Sequence, residues 1–279
     1  MPLSVVALIT LSACIHVGWN LLLKQSPYRQ LSSWLAVVVS GFATLPFAWG
    51  QATSDLWLVA GVSAIFQGLY YILLAYGYEH YDLGVLYPIA RGVAPLLSAI
   101  WSFLWLGDQF QLGGIIAIIL ITGGTMWIGI RNATIGDTQR IPWLPLIIAL
   151  VISGYTIVDA YGTRQSDPFT YYSICMSCTA IVMTPYVIWQ HRTQRFDWAK
   201  LPGELPRATI IGTLSFVSYF IVLYSYTQAP VSYVAASREM SIIIAGLVGW
   251  LWLKESFGSS RIVGATFVRI GVGVLVLFG

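Results

Sequence analysis

An all-α integral membrane protein of ten transmembrane helices, built as two inverted five-helix repeats, is the fold class that three observations predict. The chain is 57% hydrophobic and 9% charged, with a mean hydropathy of +0.76, whereas soluble domains carry roughly 25% charged residues. Apolar runs of about 20 residues, the length that crosses a bilayer, recur along nearly all of its 279 residues. Polar residues of the first half return in the second at a nearly constant offset, the signature of an internal repeat.

The runs, bounded by charged or Pro/Gly-rich punctuation, fall near 3–23, 32–50, 56–78, 84–106, 111–130, 143–163, 169–190, 208–228, 231–253 and 260–278. Span one has no Lys or Arg before it, so it lacks the basic start of a cleaved signal peptide and is expected to stay in the membrane. Runs such as 113–130 are apolar on every face, which excludes the alternating pattern of a β-barrel strand. The longest polar connections, 131–142 and 191–207, read as loops too short for domains. This division gives two units, 1–130 and 142–279.

Ten basic residues fall on one side of the membrane: Lys24, Arg29, Arg131, Arg140, Arg192, Arg195, Lys200, Arg207, Lys254 and Arg261; the other side holds Arg164. The positive-inside rule makes the crowded side cytoplasmic and places both termini outside. A net charge of +3, scattered over short connections, leaves no surface for nucleic acid. Cys14, Cys175 and Cys178 all lie in apolar runs, and the Cys175/Cys178 spacing reads as packing rather than redox chemistry. No cofactor or metal is implied, no G-x-S-x-G or H-E-x-x-H motif occurs, and a hydrolase reading has only His16 within a span to work with.

The repeat is explicit in the residues. Tyr71, Tyr76 and Tyr78 return 148 positions later as Tyr219, Tyr224 and Tyr226, with Gln67 matched by Ser215. At an offset of 147, Arg91 meets Arg238, Trp105 meets Trp252, and Gly107-Asp108 meets Lys254-Glu255. Lys24-Gln25-Ser26 returns 140 positions later as Arg164-Gln165-Ser166. Five spans per half is an odd number, so the second half enters from the opposite face, an arrangement that secondary transporters use to alternate access around a site near the midplane.

The stretches YPIARGVAPLLSAIWSFLWLGDQF and AASREMSIIIAGLVGWLWLKESFGSSRIVGA resemble the paired halves of EamA-type transporters of the drug/metabolite transporter superfamily. The resemblance covers essentially the whole chain and implies a ten-helix permease of small metabolites. Many relatives look as though their termini are cytoplasmic, the reverse of the charge count.

Five charged residues lie inside spans: Arg91, Asp159, Arg238, Glu239 and Arg269. Each would cost about 2.5–3.5 kcal/mol at a helix centre on insertion scales, so each needs a cavity or a partner. If Asp159 and Glu239 neutralise two arginines, the third can present its guanidinium fork to an anionic substrate group. The alternative is that all of them form helix-to-helix ion pairs, and Arg269 stays undecided between the two. Arg91 and Arg238 are repeat mates about seven residues, or about 10 Å, inside spans four and nine. Pro88, Gly92 and Pro95 around Arg91 interrupt helical hydrogen bonding and can free backbone groups for a cavity.

Ser12, His16 and Asn20 recur every four residues on one face of span one, leading to Lys24, with Trp19 beside Asn20. The His16-to-Lys24 spacing also resembles the first helix of small multidrug resistance proteins, where the coupling glutamate holds this position. The histidine in its place would carry a proton by titrating near neutrality, or else simply hydrogen-bond a neighbouring helix. Tyr71 with Gln67, Tyr219 with Ser215, and Tyr155 with Asp159 each present a ring and a polar tip to one face. Tyr76, Tyr78, Tyr224 and Tyr226 sit near span ends and read as an aromatic belt. Asp108 and Glu255, just past spans four and nine, read as loop or capping carboxylates.

The expected cavity lies among spans one, three, four, six, eight and nine, with the glycine-rich spans five and ten packing closely or supporting a dimer. These observations predict a secondary-active permease of a small polar metabolite, anionic or zwitterionic. Its partners are that substrate and the lipid bilayer of a bacterial inner membrane, as monomer or homodimer. The substrate-binding set is Arg91, Arg238, Glu239, Asp159, Tyr71, Tyr219, Gln67, Asn20, Trp19 and Tyr155, with His16 as the coupling candidate. The alternatives are a proton-coupled exporter of organic cations and a channel or scramblase.

Overall fold

A computed structural model describes residues 1–80, 83–133, 143–193, 197–253 and 259–279. Arg140, Arg195, Lys254 and Glu255 lie outside the described residues, as do the side chains of Tyr78 and Trp252. The described elements are α1 (Leu3–Lys24), α2 (Arg29–Ala48), α3 (Ser54–His80), α4 (Leu83–Trp101), α5 (Leu112–Ala133), α6 (Leu144–Gln165), α7 (Pro168–Arg192), α8 (Leu201–Tyr226), α9 (Val231–Ser237), α10 (Met240–Leu253) and α11 (Ser259–Phe278). Nine stretches of them are long and apolar enough to cross a membrane. Helices suit these sequences because in lipid a backbone N–H or C=O without a partner within its own segment costs several kcal/mol.

Two boundaries differ from the sequence expectation. The run read as a loop up to Arg207 is helical from Leu201, after a 3₁₀ turn at Trp198–Lys200. Pro202 takes the start of α8, where its missing N–H costs nothing, and Glu204 lies in the first turn. Glu204 is buried and accepts hydrogen bonds from Ser26 (2.9 Å) and Ser32 (2.6 Å), while Arg207 pairs with it at 3.3 Å. The expected ninth span is broken into α9 and α10, of 7 and 14 residues. Its hydrogen bonding tightens from Arg238 N–H to the Val234 carbonyl, four residues back, to Glu239 N–H on Ala236 and Ser241 N–H on Arg238, three residues back.

Helix pairs in contact occur in related sets. α1 packs on α8 as α3 packs on α6, and α2 packs on α8 as α3 packs on α7; adding or subtracting five spans converts one pair into the other. The mates α2 and α7 touch each other, as do α5 and α11. α5 and α11 run antiparallel: Gly113 meets Phe278, Ala117 meets Gly271, and Gly124 meets Gly264. A Cβ on Gly124 would stand 2.7 Å from the Gly264 carbonyl oxygen, closer than side-chain carbons approach. Glycine is therefore needed there for close backbone approach, and the glycine-rich spans do pack on each other. The amino group of Met1 meets the Gly279 carbonyl at 2.6 Å, so the start of α1 and the end of α11 share one face.

Candidate functional site

The helix break brings two charged residues to one cavity. Its wall includes Arg91, Pro95 and Ser98 of α4, Thr156 of α6, and Arg238 and Glu239 at the turn between α9 and α10. α4 runs through both prolines as a helix, and Pro95, with no N–H, leaves the Arg91 carbonyl without its usual helical donor. Gly92 instead faces α5, beside Thr125 and Met126. α4 ends in a π-turn at Ser102–Leu106, closed by Gly107 at φ 69°, a left-handed conformation suited to glycine.

Glu239 takes Arg91. The Nη2 to Oε1 distance is 2.9 Å and the Nε to Oε1 distance 3.2 Å, with side chains 7% and 3% exposed. This two-nitrogen grip is the geometry that guanidinium offers a carboxylate. Arg238, half-buried, stands with its guanidinium carbon 5.8 Å from the centre of the Tyr219 ring. Among the described residues no carboxylate lies within ion-pair distance of Arg238.

Asp159 does not neutralise an arginine, contrary to the pairing considered from sequence. Its carboxylate is 0% exposed and enclosed by donors from three other helices. Ser63 and Gln67 of α3, Tyr171 and Cys175 of α7 and Tyr219 of α8 all donate to it, with Tyr171 at 2.7 Å, Gln67 at 3.3 Å and the Cys175 thiol at 3.9 Å. Ser63, Tyr171 and Cys175 were not singled out as site residues in the sequence. The polar residues at these points of spans three and seven were the available signal, and nothing local says that they converge.

The remaining expected residues divide. Tyr155 is buried against Tyr70, 5.9 Å between ring centres, and Tyr71 packs into the core beneath α3. Gln67 joins the Asp159 cage and also reaches the Tyr219 hydroxyl at 3.4 Å. On α1, Ser12 bonds to Ser218 of α8, Asn20 donates to the His16 carbonyl at 2.8 Å, and His16 meets the edge of Trp19 at 4.9 Å. The Trp19 indole nitrogen is buried without a hydrogen-bond partner among the described residues. None of His16, Trp19, Asn20, Tyr71 and Tyr219 is on the wall of the Arg238 cavity, which α4, α6 and the α9/α10 turn form. Arg269 is exposed on α11, away from it. Tyr76 and Tyr224 are exposed as a belt requires, but Tyr226 is buried, and its carbonyl accepts Arg164 Nε at 3.4 Å.

Asp108 is a capping carboxylate, as expected. One oxygen accepts the Val231 N–H that begins α9 (3.0 Å), and the other pairs with Arg164 at 2.9 Å. The pair joins the end of α4 to the end of α6 and the start of α9.

A family model, the EamA-like transporter family, matches residues 3–130 and 141–277. The chain belongs to this family. The match in two copies agrees with the repeat read from the tyrosines and arginines, and the EamA-like transporter is thereby a multi-pass integral membrane protein. No curated protein matches the sequence. A solved structure described only as the crystal structure of a protein is similar in fold, with a TM-score of 0.71 over 98% of this chain and 95% of that one at 13% identity.

Proposed function

We propose that this EamA-like transporter is a secondary-active permease of a small anionic or zwitterionic metabolite, such as an amino acid, a carboxylate or an aminophosphonate, working by alternating access in a bacterial inner membrane. The observation that carries this reading is Arg238: a half-buried guanidinium on a cavity wall, at a helix break, with no ion pair among the described residues. Glu239 neutralises Arg91, so the charge left for cargo is positive. A carboxylate or phosphonate docks on the Arg238 fork, and Ser98 and Thr156 line the same cavity. An amine on the cargo falls toward Glu239, whose Oε2 has a long 3.5 Å contact to Arg91.

The antiparallel course of α5 and α11 supports an inverted relation between the halves 1–130 and 142–279. Two such halves exchange shapes around a fixed site. The Asp108–Arg164 pair ties the end of α4 in the first half to the end of α6 in the second at 2.9 Å. A thermal-shift screen of the purified protein against small anions, zwitterions and cations tests the reading, since a ligand at 100 times its Kd adds about 2.7 kcal/mol to folded-state stability. Carboxylates, phosphonates or amino acids should raise the melting temperature and then show saturable counterflow in liposomes. Stabilisation by quaternary ammonium compounds alone would overturn it.

The basic-residue count places both termini and the turn at 51–55 outside the cytoplasm. Ser54 is exposed there. In a background lacking the native cysteines, Ser54→Cys should react with an impermeant maleimide on intact cells. Reaction only after lysis would establish the opposite orientation.

A further inference from the structure

We propose that Asp159 is a proton-binding site: a carboxyl that takes a proton from water and returns it during the transport cycle, with its state passed to Arg238 through Tyr219. The inference starts from a mismatch of charge and surroundings. Asp159 is 0% exposed in the second half of α6, and among the described residues no Lys, Arg or His comes within ion-pair distance of it. A buried ionised carboxylate without a cation is expensive in a protein interior, more so within a bilayer. Groups in that position are held by many donors, neutralised by a proton, or alternate between the two.

The cage is built for alternation. From α3 come Ser63 and Gln67, from α7 the titratable groups Tyr171 and Cys175, and from α8 Tyr219. Tyr155 of α6 itself and Tyr226 of α8 also face Asp159, and the charged groups on this side of α6 are Arg238 at the α9/α10 turn and Arg91 on α4, held by Glu239. Ser63, Tyr171 and Tyr219 are hydroxyls, which donate to a carboxylate and accept from a carboxylic acid by rotating one O–H bond. The protonation balances: one O–H bond of a hydronium ion breaks as one forms on the carboxylate, leaving the neutral acid and one water.

The connection to cargo runs through one side chain. The Tyr219 hydroxyl donates to Asp159 Oδ2, and its ring faces the Arg238 guanidinium at 5.8 Å. A proton on Oδ2 turns that oxygen from acceptor to donor, so the Tyr219 O–H rotates to accept it and the O–H dipole beside Arg238 is reoriented. His16, on α1, meets the edge of Trp19, whereas the five donors to Asp159 come from α3, α7 and α8. The inference goes beyond the anion reading of Arg238 and does not depend on the identity of the cargo.

The test is infrared difference spectroscopy of the full chain in sodium-free phosphatidylcholine liposomes, stepping between acidic and alkaline buffer. The parent should show a protonated-carboxyl C=O band that appears and disappears with pH, and Asp159→Asn should lose it. Tyr219→Phe keeps the carboxyl but removes one hydrogen bond, so the same band should remain and move in frequency, which preserves the test if Asp159→Asn fails to fold. A band unchanged in Asp159→Asn, no pH-dependent carboxyl band in the parent, or a band that Tyr219→Phe leaves in place would overturn the proposal. A band that responds to added sodium instead of pH would also overturn it, in favour of a metal cation at the carboxylate. Because no substrate is present, failure of the anion reading leaves this result standing, and the reverse also holds.

Discussion

Arg238→Gln is expected to weaken binding of the stabilising carboxylate, phosphonate or amino acid more than tenfold while the protein still folds. More than tenfold corresponds to at least about 1.4 kcal/mol, a threshold that the roughly 1.5–3 kcal/mol net worth of a hydrogen bond to a charged group exceeds. Folding should survive because Arg238 is half-buried and takes part in no ion pair among the described residues, so a neutral glutamine in its place leaves no buried charge without a partner. Isothermal titration of the purified variant against the parent measures the loss. Equal affinity in the two proteins would remove Arg238 from the site. Selective stabilisation of the parent by organic cations would revive the exporter alternative, for which the observation at hand is Asp159, a carboxylate without a cationic partner. That carboxylate is wholly enclosed and is not on the cavity wall, which is why cargo is assigned to Arg238.

The second large effect is on stability. Arg91 and Glu239 are both buried and grip each other through two nitrogens. Removing one member of a buried pair leaves the other charge uncompensated, at a cost of about 3–5 kcal/mol. Arg91→Gln should therefore lower the apparent melting temperature strongly, and Arg91→Gln with Glu239→Gln should recover much of the loss, because two neutral amides need no counter-charge. Unfolding of the four proteins in the same detergent gives the coupling as a double-mutant cycle. Additive losses would mean that the two residues do not act as a pair. Arg91 and Arg238, repeat mates in sequence, thus take different parts: one holds α4 to the α9/α10 turn, the other is left for the cavity.

Much of the architecture was legible because a bilayer imposes a simple rule on sequence. Spans one to seven and ten appear within a few residues of the expected runs, since in each the apolar stretch and the helix end together. Span eight began later in the sequence reading because Pro202, Glu204, Pro206 and Arg207 look like loop residues. Their positions as a first-turn proline and a first-turn acid are nevertheless helix-start signals. The break at Arg238-Glu239 had no such signal, for neither residue is glycine or proline and the run from 231 to 253 is apolar on both sides of it.

The charge arithmetic of the site was half legible. Counting three arginines and two carboxylates inside the spans leads to the expectation of one arginine in excess; the structure pairs Arg91 with Glu239, leaves Arg238 and Asp159 each without an ion pair among the described residues, and exposes Arg269. Asp159 finds its donors at residues 63, 67, 171, 175 and 219, and no local pattern links positions so far apart in the chain. Tyr226 reads as a belt residue by its place near a span end and is buried instead, its side chain beside Thr156 of α6 and Arg238.

Sequence alone determined what depends on composition and periodicity: ten apolar runs, the duplication, the EamA resemblance and the list of charges that lipid would not tolerate. Those properties follow from local chemistry, because each residue's transfer cost and each segment's internal hydrogen bonding are set without reference to distant segments. Tertiary structure decided the pairing: Glu239 to Arg91 rather than Arg238, Asp159 to hydroxyls rather than an arginine, Asp108 to Arg164 and the start of α9. Partner choice is a matter of a few ångströms between helices, and an ion pair or hydrogen bond falls off over that distance, so only the packed bundle can select among the partners the sequence supplies.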